Sequence, residues 1–205
     1  MRLLAAGRRA LLVETATPEL RRRLHQALTT TPPDGLVELV PAARTVLVSC
    51  AEESDLAAAA AHVRALVDAG LQQVAHESVE PTVIEVRYDG EDLEQVAELV
   101  GITPEEVIAR HTGQLWTVDF AGFMPGFGYL TGEQGGLTVP RLSSPRTRIP
   151  PGSVALADDF TGIYPQASPG GWQLIGTTEA ELWRTDRTPP ALLVPGAVIQ
   201  FVEVR

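Results

Sequence analysis

The residues best suited to chemistry are concentrated between His111 and Gly176. Glycine, proline, arginine and aromatic residues form short clusters there: Gly122-Phe123-Met124-Pro125-Gly126-Phe127-Gly128-Tyr129-Leu130, Pro140-Arg141, Pro145-Arg146, Pro151-Gly152-Ser153, Thr161-Gly162-Ile163-Tyr164-Pro165 and Ser168-Pro169-Gly170-Gly171-Trp172-Gln173-Leu174-Ile175-Gly176. Glycine permits positive φ and close backbone approach, whereas proline fixes φ. So many of both, beside arginines and aromatic rings, predict a rigid surface built from loops, where binding and catalysis usually occur.

Three arginines lie within eight residues of this segment, at positions 141, 146 and 148. One interpretation is a solvated loop. The alternatives are an anion site for a carboxylate or phosphate, which a guanidinium binds through two parallel hydrogen bonds, or a docking surface for an acidic partner. The neighbouring prolines would preorganise such a site and reduce the ordering entropy lost on binding.

Ser168 to Trp172 is predicted to be a tight loop rich in backbone N–H groups, which is able to hold an anion or an oxyanion. Ser168 does not lie in a G-x-S-x-G elbow, so the pattern gives little support to a nucleophilic role. His111 is expected at the C-terminus of a helix, where the dipole favours imidazolium. It is either a capping residue or a ligand contact or acid–base group.

Three aromatic residues, Phe123, Phe127 and Tyr129, recur at odd positions and are interpreted first as core packing and second as a pocket wall. Asp158-Asp159 fits a solvated turn better than a metal site. His25, His62 and His76 show no metal-ligand spacing with one another or with Cys50. We therefore predict no metal site, and we expect the single cysteine to be a small buried hydrophobic residue.

Composition excludes several classes of function. The 205-residue chain is 44% hydrophobic, lacks an apolar run near the roughly 20 residues that span a bilayer, and starts with too short an apolar stretch for a signal peptide. A soluble, cytoplasmic protein is therefore expected. The net charge of −10 argues against binding nucleic acid or an anionic membrane. The absence of lysine excludes a Walker A lysine, a pyridoxal phosphate Schiff base and biotinylation.

The first part of the chain alternates strands and helices. The predicted elements are a strand at 10–14, a helix opened by Thr17-Pro18, strands at 36–40 and 45–49, a helix from Ser54-Asp55 to Gly70, and a strand at 82–88. Threonine at the N-cap and proline at the first helical position are typical helix starts. The order predicts a small α+β sandwich, with a domain boundary near residues 80–90.

The remainder is predicted to be mostly β. Two short helices come first, one from Asp92 to Val100 and one with a capping box formed by Thr103 and Glu106. Periodicity then changes to two from Leu115 onward, and short strands with many turns continue to a last strand at 197–204. This pattern predicts an all-β barrel or sandwich.

These motifs, in this order and spacing, resemble the family of the 5-oxoprolinase B subunit, which also includes allophanate hydrolase subunit 1 and the sporulation-kinase inhibitor protein. The resemblance extends from about residue 10 to residue 201. It implies an α+β ferredoxin-like domain, which we assign to residues 1–85, followed by an all-β cyclophilin-like barrel domain at residues 86–205. It further implies a cytoplasmic hetero-oligomer with the A and C subunits of 5-oxoprolinase, of which the C subunit is similar to allophanate hydrolase subunit 2.

The implied activity is the ATP-dependent opening of 5-oxo-L-proline to L-glutamate by the complex, not by this chain alone. Without a lysine or a phosphate-binding loop, this chain alone is a poor ATPase candidate, so ATP is expected to be bound by the complex rather than by this chain alone. The resemblance places the following residues in a composite site: His111 and Ser168 as catalytic residues, and Arg141, Arg146, Tyr129, Gly170, Gly171 and Trp172 as substrate-binding residues, with either arginine holding the substrate carboxylate.

Two alternatives follow from the same resemblance. The first is a regulatory module whose loops dock on a histidine kinase and block it. The second is a carboxyltransferase-like subunit of urea or allophanate metabolism, which would need a separate biotin carrier because this chain has no lysine.

Overall fold

The computed structural model describes residues 1–71 and 80–205. The chain forms two compact units, Met1–Glu77 and Ser78–Arg205, and each is described by itself. His76, for which no metal-ligand spacing was found, lies outside the described residues.

The first unit is a four-stranded antiparallel sheet with two helices. Its elements are β1 (Arg2–Ala5), β2 (Ala10–Glu14), α1 (Pro18–Thr30), β3 (Leu36–Pro41), β4 (Thr45–Cys50) and α2 (Asp55–Asp68). The strand order is β1-β2-β4-β3. The predicted start of α1 is confirmed, because the Thr17 side chain accepts a hydrogen bond from the Leu20 amide and Pro18 follows it.

The core of this unit is formed by one face of the sheet and the apolar stripes of both helices. Leu24 and Leu28 of α1 are fully buried, one helical turn apart. They pack with the alternate residues Leu11 and Val13 of β2. Cys50 also lies in this core, as predicted.

The second unit contains two helices and nine strands. They are β5 (Thr82–Val86), α3 (Leu93–Val100), α4 (Pro104–Thr112), β6 (Leu115–Ala121), β7 (Gly128–Gly132), β8 (Arg146–Ile149), β9 (Ser153–Ala157), β10 (Phe160–Ile163), β11 (Ser168–Gly170), β12 (Gln173–Thr177) and β13 (Val198–Glu203). Seven strands form one mixed sheet in the order β12-β9-β10-β7-β6-β13-β5. Arg87 and Thr177 exchange backbone hydrogen bonds of 2.9 and 2.8 Å, which joins the two ends into a nearly closed barrel.

Helices α3 and α4 are fixed by strong local signals. Gly101 ends α3 in the left-handed conformation (φ 77°), and the predicted capping box of Thr103 and Glu106 begins α4. Val96 and Val107, one from each helix, are fully buried in the larger core of the unit. The helices therefore cover one face of the strands that carry the candidate residues.

A two-stranded ribbon lies outside the main sheet and carries part of the candidate site. In it β8 pairs antiparallel with β11, with Arg146 opposite Gly170 and an irregularity between Ser168 and Gly170. The predicted tight loop at 168–172 therefore begins as a short strand.

The predicted domain boundary, between 85 and 86, was wrong. The strand at 82–86 was assigned to the first domain, but it pairs in parallel with β13 at the end of the chain and belongs to the second unit. The first sheet instead gains its outer strand from β1, Arg2–Ala5, which the sequence pattern did not predict.

Candidate functional site

Seven aromatic side chains on one face of the main sheet form a connected cluster, here called the aromatic band. Its members are Phe120, Phe123, Phe127, Tyr129, Phe160, Tyr164 and Trp172, with neighbouring ring centroids 4.3–6.2 Å apart. Most pairs meet edge to face, the arrangement that the ring quadrupoles favour. The three aromatics predicted as core packing or a pocket wall are therefore brought together.

Two glycines allow the rings to pack this closely. A Cβ atom at Gly162 would lie 2.9 Å from the Phe127 ring, and one at Gly170 would lie 2.4 Å from the Tyr164 hydroxyl and 2.7 Å from Ile149. None of these three distances is compatible with a side chain, so the backbone itself forms part of the wall of the band.

One end of the band reaches solvent through a strained residue. Phe123 has φ 69° and is 58% exposed. A bulky residue in the left-handed region costs energy, and such strain is often found at functional sites. The turn at Gly122–Gly126 therefore presents an aromatic ring to solvent while Phe127, behind it, is buried.

Arg146 is engaged by two carboxylates that the sequence analysis did not connect with it. Its Nε lies 2.9 Å from Glu91 Oε1, and its Nη2 donates to Asp92 Oδ1 at 2.7 Å. The second oxygen of Asp92 accepts the Leu174 amide at 2.6 Å. Burial lowers the pKa of the Arg146 guanidinium, but the hydrogen bonds and charges of Asp92 and Glu91 outweigh it and raise that pKa. Through these ion pairs Arg146 links the start of α3 to the ribbon, and its charge is already balanced by the two carboxylates.

Arg141 is the more available cation. Its side chain is 59% exposed, and its ion pair within the described part of the chain is a long one, 3.7 Å from Nε to Asp158 Oδ2. Asp158, in the β9–β10 turn, has φ 51°. Burial raises the pKa of Tyr129, and the nearby charge of Arg141 partly offsets this. The Tyr129 hydroxyl donates to no described residue, so this hydroxyl and the guanidinium are both open to a ligand.

Ser168 begins the short strand β11, and Trp172 follows the end of that strand by two residues. The Ser168 Oγ is buried and has no hydrogen-bond partner among the described residues. Burial raises the pKa of Tyr164 to about 12, opposed by the nearby Trp172 amide. Gly171 contributes its carbonyl, which accepts the Leu142 amide at 2.7 Å. Because the Ser168 hydroxyl is buried, it cannot attack a substrate without first being exposed.

His111 is fully buried in a hydrogen-bonded chain of side chains. Thr161 donates its hydroxyl to the Ala155 carbonyl at 3.2 Å, so it accepts from His111 Nε2 at 3.0 Å. Nδ1 of the imidazole then accepts the Tyr88 hydroxyl at 2.7 Å. The ring is therefore the neutral Nε2–H tautomer, and it stacks on Phe201 at 4.4 Å.

Burial lowers the pKa of His111 to about 3, which keeps the imidazole neutral despite its place in the last turn of α4. The sheet also separates it from the band. On β10, Thr161 contacts His111, whereas the next residue, Gly162, lies against Phe127, because consecutive strand residues face opposite sides. The placement of His111 favours a structural role over the predicted acid–base role.

No group of three or more His, Cys, Asp or Glu side chains in residues 1–71 and 80–205 is arranged to hold a metal ion. Asp158 and Asp159 are both exposed between β9 and β10, as predicted for a solvated turn, and they face Arg141 and the Thr138 hydroxyl. Within the same residues, no helix is both long and apolar enough to cross a membrane.

Comparisons with known proteins agree on one family. Residues 1–193 match the family described as carboxyltransferase domain, subdomain C and D. The chain is 48% identical over 124 residues to a Bacillus subtilis protein named as the B subunit of 5-oxoprolinase, a match that covers 59% of this chain and 52% of that protein. The match thus spans about half the length of this curated relative.

Two solved structures are similar over nearly the whole chain. The Pyrococcus horikoshii protein PH0987, described as conserved and uncharacterized, has 31% identity and a TM-score of 0.57, and the match covers 99% of this chain and 97% of that one. The Kluyveromyces lactis urea carboxylase has 20% identity and a TM-score of 0.76 over 99% of this chain and 22% of that one. The second likeness concerns the fold alone.

The packing of the ribbon against Tyr164 predicts different outcomes for two adjacent glycines. Gly170→Ala should lower the free energy of unfolding by about 1–3 kcal/mol, because its Cβ would overlap the Tyr164 hydroxyl. Gly171→Ala is the matched control, since its nearest neighbour would be 3.6 Å away, an ordinary contact. Urea unfolding of both variants checks this, and equal losses would contradict it.

The ion pairs of Arg146 with Glu91 and Asp92 predict that removing its side chain lowers stability. Arg146→Ala should lower the free energy of unfolding by about 2–3 kcal/mol, because it leaves the buried Asp92 carboxylate without its cation. Arg148→Ala, at an exposed position two residues away in β8, is the control and should change it little. Thermal and urea unfolding measure both, and an Arg146→Ala protein as stable as the control would rule out a stabilising role for these ion pairs.

Burial of neutral His111 predicts an acid-sensitive contribution to stability. The pKa of His111 is about 3 in the folded protein, and its ordinary value is 6.5. Between these two pH values only the unfolded chain takes up the proton. The contribution of His111 to stability is therefore complete above pH 6.5 and is lost as the pH falls toward 3. Between pH 7 and 5 the free energy of unfolding should fall by about 2 kcal/mol more in the native protein than in His111→Gln.

Urea unfolding at several pH values checks this expectation. The control is His62→Gln, which removes a partly exposed ring whose Nε2 lies 2.7 Å from the Thr31 carbonyl in the first unit. A native protein and a His111→Gln variant with parallel pH profiles would show that His111 is not held neutral.

Proposed function

The chain belongs to the family described as carboxyltransferase domain, subdomain C and D, and on that premise we propose that it is one subunit of an ATP-dependent 5-oxoprolinase complex. The observation that carries the proposal is its 48% identity over 124 residues to a protein named as the B subunit of 5-oxoprolinase. We assign the chain to the same place in a complex that also contains the A and C subunits. In this proposal the chain is inactive alone.

The fold names implied by the sequence resemblance are part of the same proposal. The first unit, with two helices on one face of a four-stranded antiparallel sheet, is a ferredoxin-like domain in which β1 occupies an outer position. The second unit, with its nearly closed seven-stranded sheet, is a cyclophilin-like barrel.

The proposed reaction opens a lactam, which is a poor electrophile. ATP transfers its γ-phosphoryl group to the lactam oxygen and is released as ADP. Water then adds to the activated ring carbon and the C–N bond breaks to give a γ-glutamyl phosphate, which a second water hydrolyses to L-glutamate and phosphate. This chain has no lysine and no glycine-rich phosphate-binding loop. We therefore assign ATP to the other subunits and the holding of the substrate to this one.

The aromatic band and Arg141 suit a substrate such as 5-oxoproline. The substrate is a small flat ring that carries one carboxylate. The exposed guanidinium of Arg141 can bind that carboxylate through two parallel hydrogen bonds, with the Tyr129 hydroxyl beside it. The lactam ring then lies on the band near Trp172, between Arg141 and the ribbon at Gly170 and Gly171.

Of the two arginines that the sequence offered for the substrate carboxylate, this proposal chooses Arg141 over Arg146. Arg146 is balanced by Asp92 and Glu91, so it supports the ribbon instead of binding the carboxylate. Binding the substrate would require breaking a 2.7 Å charge-assisted hydrogen bond to a buried carboxylate. We therefore assign the carboxylate to Arg141.

A regulatory docking function is the second candidate, and exposed rings favour it. Phe123 and Trp183 are both exposed. A Cβ atom at Gly126 would lie 3.2 Å from Trp183 and 3.3 Å from Pro165, so the side chains of these residues flank the turn that carries Phe123. Such a surface fits an apolar protein partner, such as the histidine kinase that the sequence resemblance implies. The likeness to urea carboxylase, at 20% identity, does not favour the urea-type alternative.

The deciding measurement is 5-oxoproline-dependent ATP hydrolysis, with glutamate detection, by the complex that co-purifies with tagged chain. The proposal expects glutamate and ADP in equal amounts. Arg141→Ala in this complex should raise KM for 5-oxoproline about 10–100-fold, as expected for loss of a charge-assisted hydrogen bond. Arg148→Ala, another exposed arginine of the same segment, should leave KM unchanged.

Different outcomes separate the proposals. A complex that forms but does not turn over 5-oxoproline would refute the enzyme assignment and favour the docking function. Turnover with an unchanged KM in Arg141→Ala would leave the function standing and refute only the assignment of the carboxylate.

A further inference from the structure

The outer edge of β5 is an open backbone edge in the second unit. On one side β5 pairs in parallel with β13 over its whole length, from Thr82 opposite Ile199 to Val86 opposite Glu203. On the other side the contact with β12 is limited to the bridge between Arg87 and Thr177. Within residues 80–205, the barrel therefore closes at the C-terminal end of β5 and stays open along the rest of that strand.

The hydrogen bonds fix which residues face the opening. The Val86 carbonyl accepts the Val204 amide at 2.9 Å, so Val86 and Ile84 direct their backbone groups toward β13. Alternate residues point the other way. Arg87 does so, because both of its backbone groups bind Thr177. Val83 and Glu85 therefore direct two N–H and two C=O groups into the opening, and none of them bonds to a described residue.

The opening is large enough for another strand. It forms a cleft of about 510 Å³ between β5 and the chain after β12, lined by Val83, Glu85, Arg87, Thr178 and Glu179 among others. Val83 is 59% exposed. Native edge strands are usually protected by charged side chains, especially lysine, by proline, by a bulge or by a covering element. The open part of β5 carries a single charged residue, Glu85, and no proline.

Charge identifies the kind of strand that fits. Glu85 and Glu179 face the cleft, and the one lining cation, Arg87, is already paired with Glu179 at 3.5 Å and with Asp89 at 3.9 Å. A second copy of this chain would place its own Glu85 against this edge, and like charges on adjacent strands repel. The edge thus favours a different polypeptide with basic side chains.

We propose that the free edge of β5 is a docking site for an extended, basic segment of a partner protein. The segment adds a strand beside β5, so its backbone pairs with Val83 and Glu85. Its basic side chains lie near Glu85 and Glu179, and its apolar side chains lie near Val83. The proposal rests on β5 and its surroundings and does not depend on the proposed enzyme function.

The test uses the full ¹⁵N-labelled chain and two blocked hexapeptides, Arg-Val-Arg-Val-Arg-Val and Glu-Val-Glu-Val-Glu-Val. In the free protein, the amides of Val83 and Glu85 should exchange with solvent much faster than those of Ile84 and Val86. The basic peptide should shift the Val83 and Glu85 amide resonances and slow their exchange at least about tenfold at peptide concentrations on the order of 1 mM. The acidic peptide should do neither.

Charge reversal at the cleft separates this site from general attraction to an acidic protein. The double variant Glu85→Arg with Glu179→Arg should reverse the preference to the acidic peptide. Glu94→Arg with Glu98→Arg makes the same change of net charge on exposed residues of α3 and should keep the preference for the basic peptide.

Three results would overturn the proposal. They are slow exchange of Val83 and Glu85 in the free protein, equal loss of binding in both double variants, and shifts confined to other parts of the chain. Concentration-dependent dimerisation through β5, measured by size-exclusion chromatography and the same amide shifts, would replace the partner segment with a second copy.

Discussion

The double ion pair of Arg146 with Glu91 and Asp92 is the constraint on which the candidate site depends. Asp92 binds the Leu174 amide with its other oxygen, so one carboxylate joins the start of α3, strand β12 and the ribbon. Arg146 lies opposite Gly170 in the ribbon, which places the ribbon backbone against the Tyr164 hydroxyl. A cation used in this way fixes the wall of the candidate site, and the exposed Arg141 is the residue that we propose binds an anion.

The main sheet separates His111 from the aromatic band, although the sequence resemblance placed His111 and Trp172 in one composite site. On β9 the alternate residues Val154 and Leu156 enter the core that contains the helices, whereas Ala155 and Ala157 lie beneath the aromatic band. The small alanines leave room for the large rings above them. His111 lies on the face that packs against the helices, and Trp172 lies on the face that carries the aromatic band. The two residues therefore do not form one site.

What the sequence predicted well was local. The cap at Thr17 and the capping box at Thr103 depend on residues three apart, and both are present. What it missed was long-range. Asp92 and Arg146 are 54 residues apart, and no pattern connects them, so Arg146 was recognised as a cation without its partners. For the same reason the strand at 82–86 was assigned to the wrong unit, because its partner lies at the end of the chain.

The closure of the barrel explains why an ordered site and an open edge occur on the same sheet. A Cβ atom at Gly90 would lie 2.3 Å from the Leu174 carbonyl oxygen, and one at Gly176 would lie 2.4 Å from the Arg87 carbonyl oxygen. The chain after β5 and β12 can approach this closely only because both positions lack side chains. That approach brings Asp92 to the Leu174 amide. Toward the N-terminus of β5, no backbone bridge joins this strand to the described chain after β12. Backbone hydrogen bonds therefore close the sheet at Arg87 and Thr177, near the aromatic band, and leave the edge at Val83 and Glu85 unpaired within the described residues.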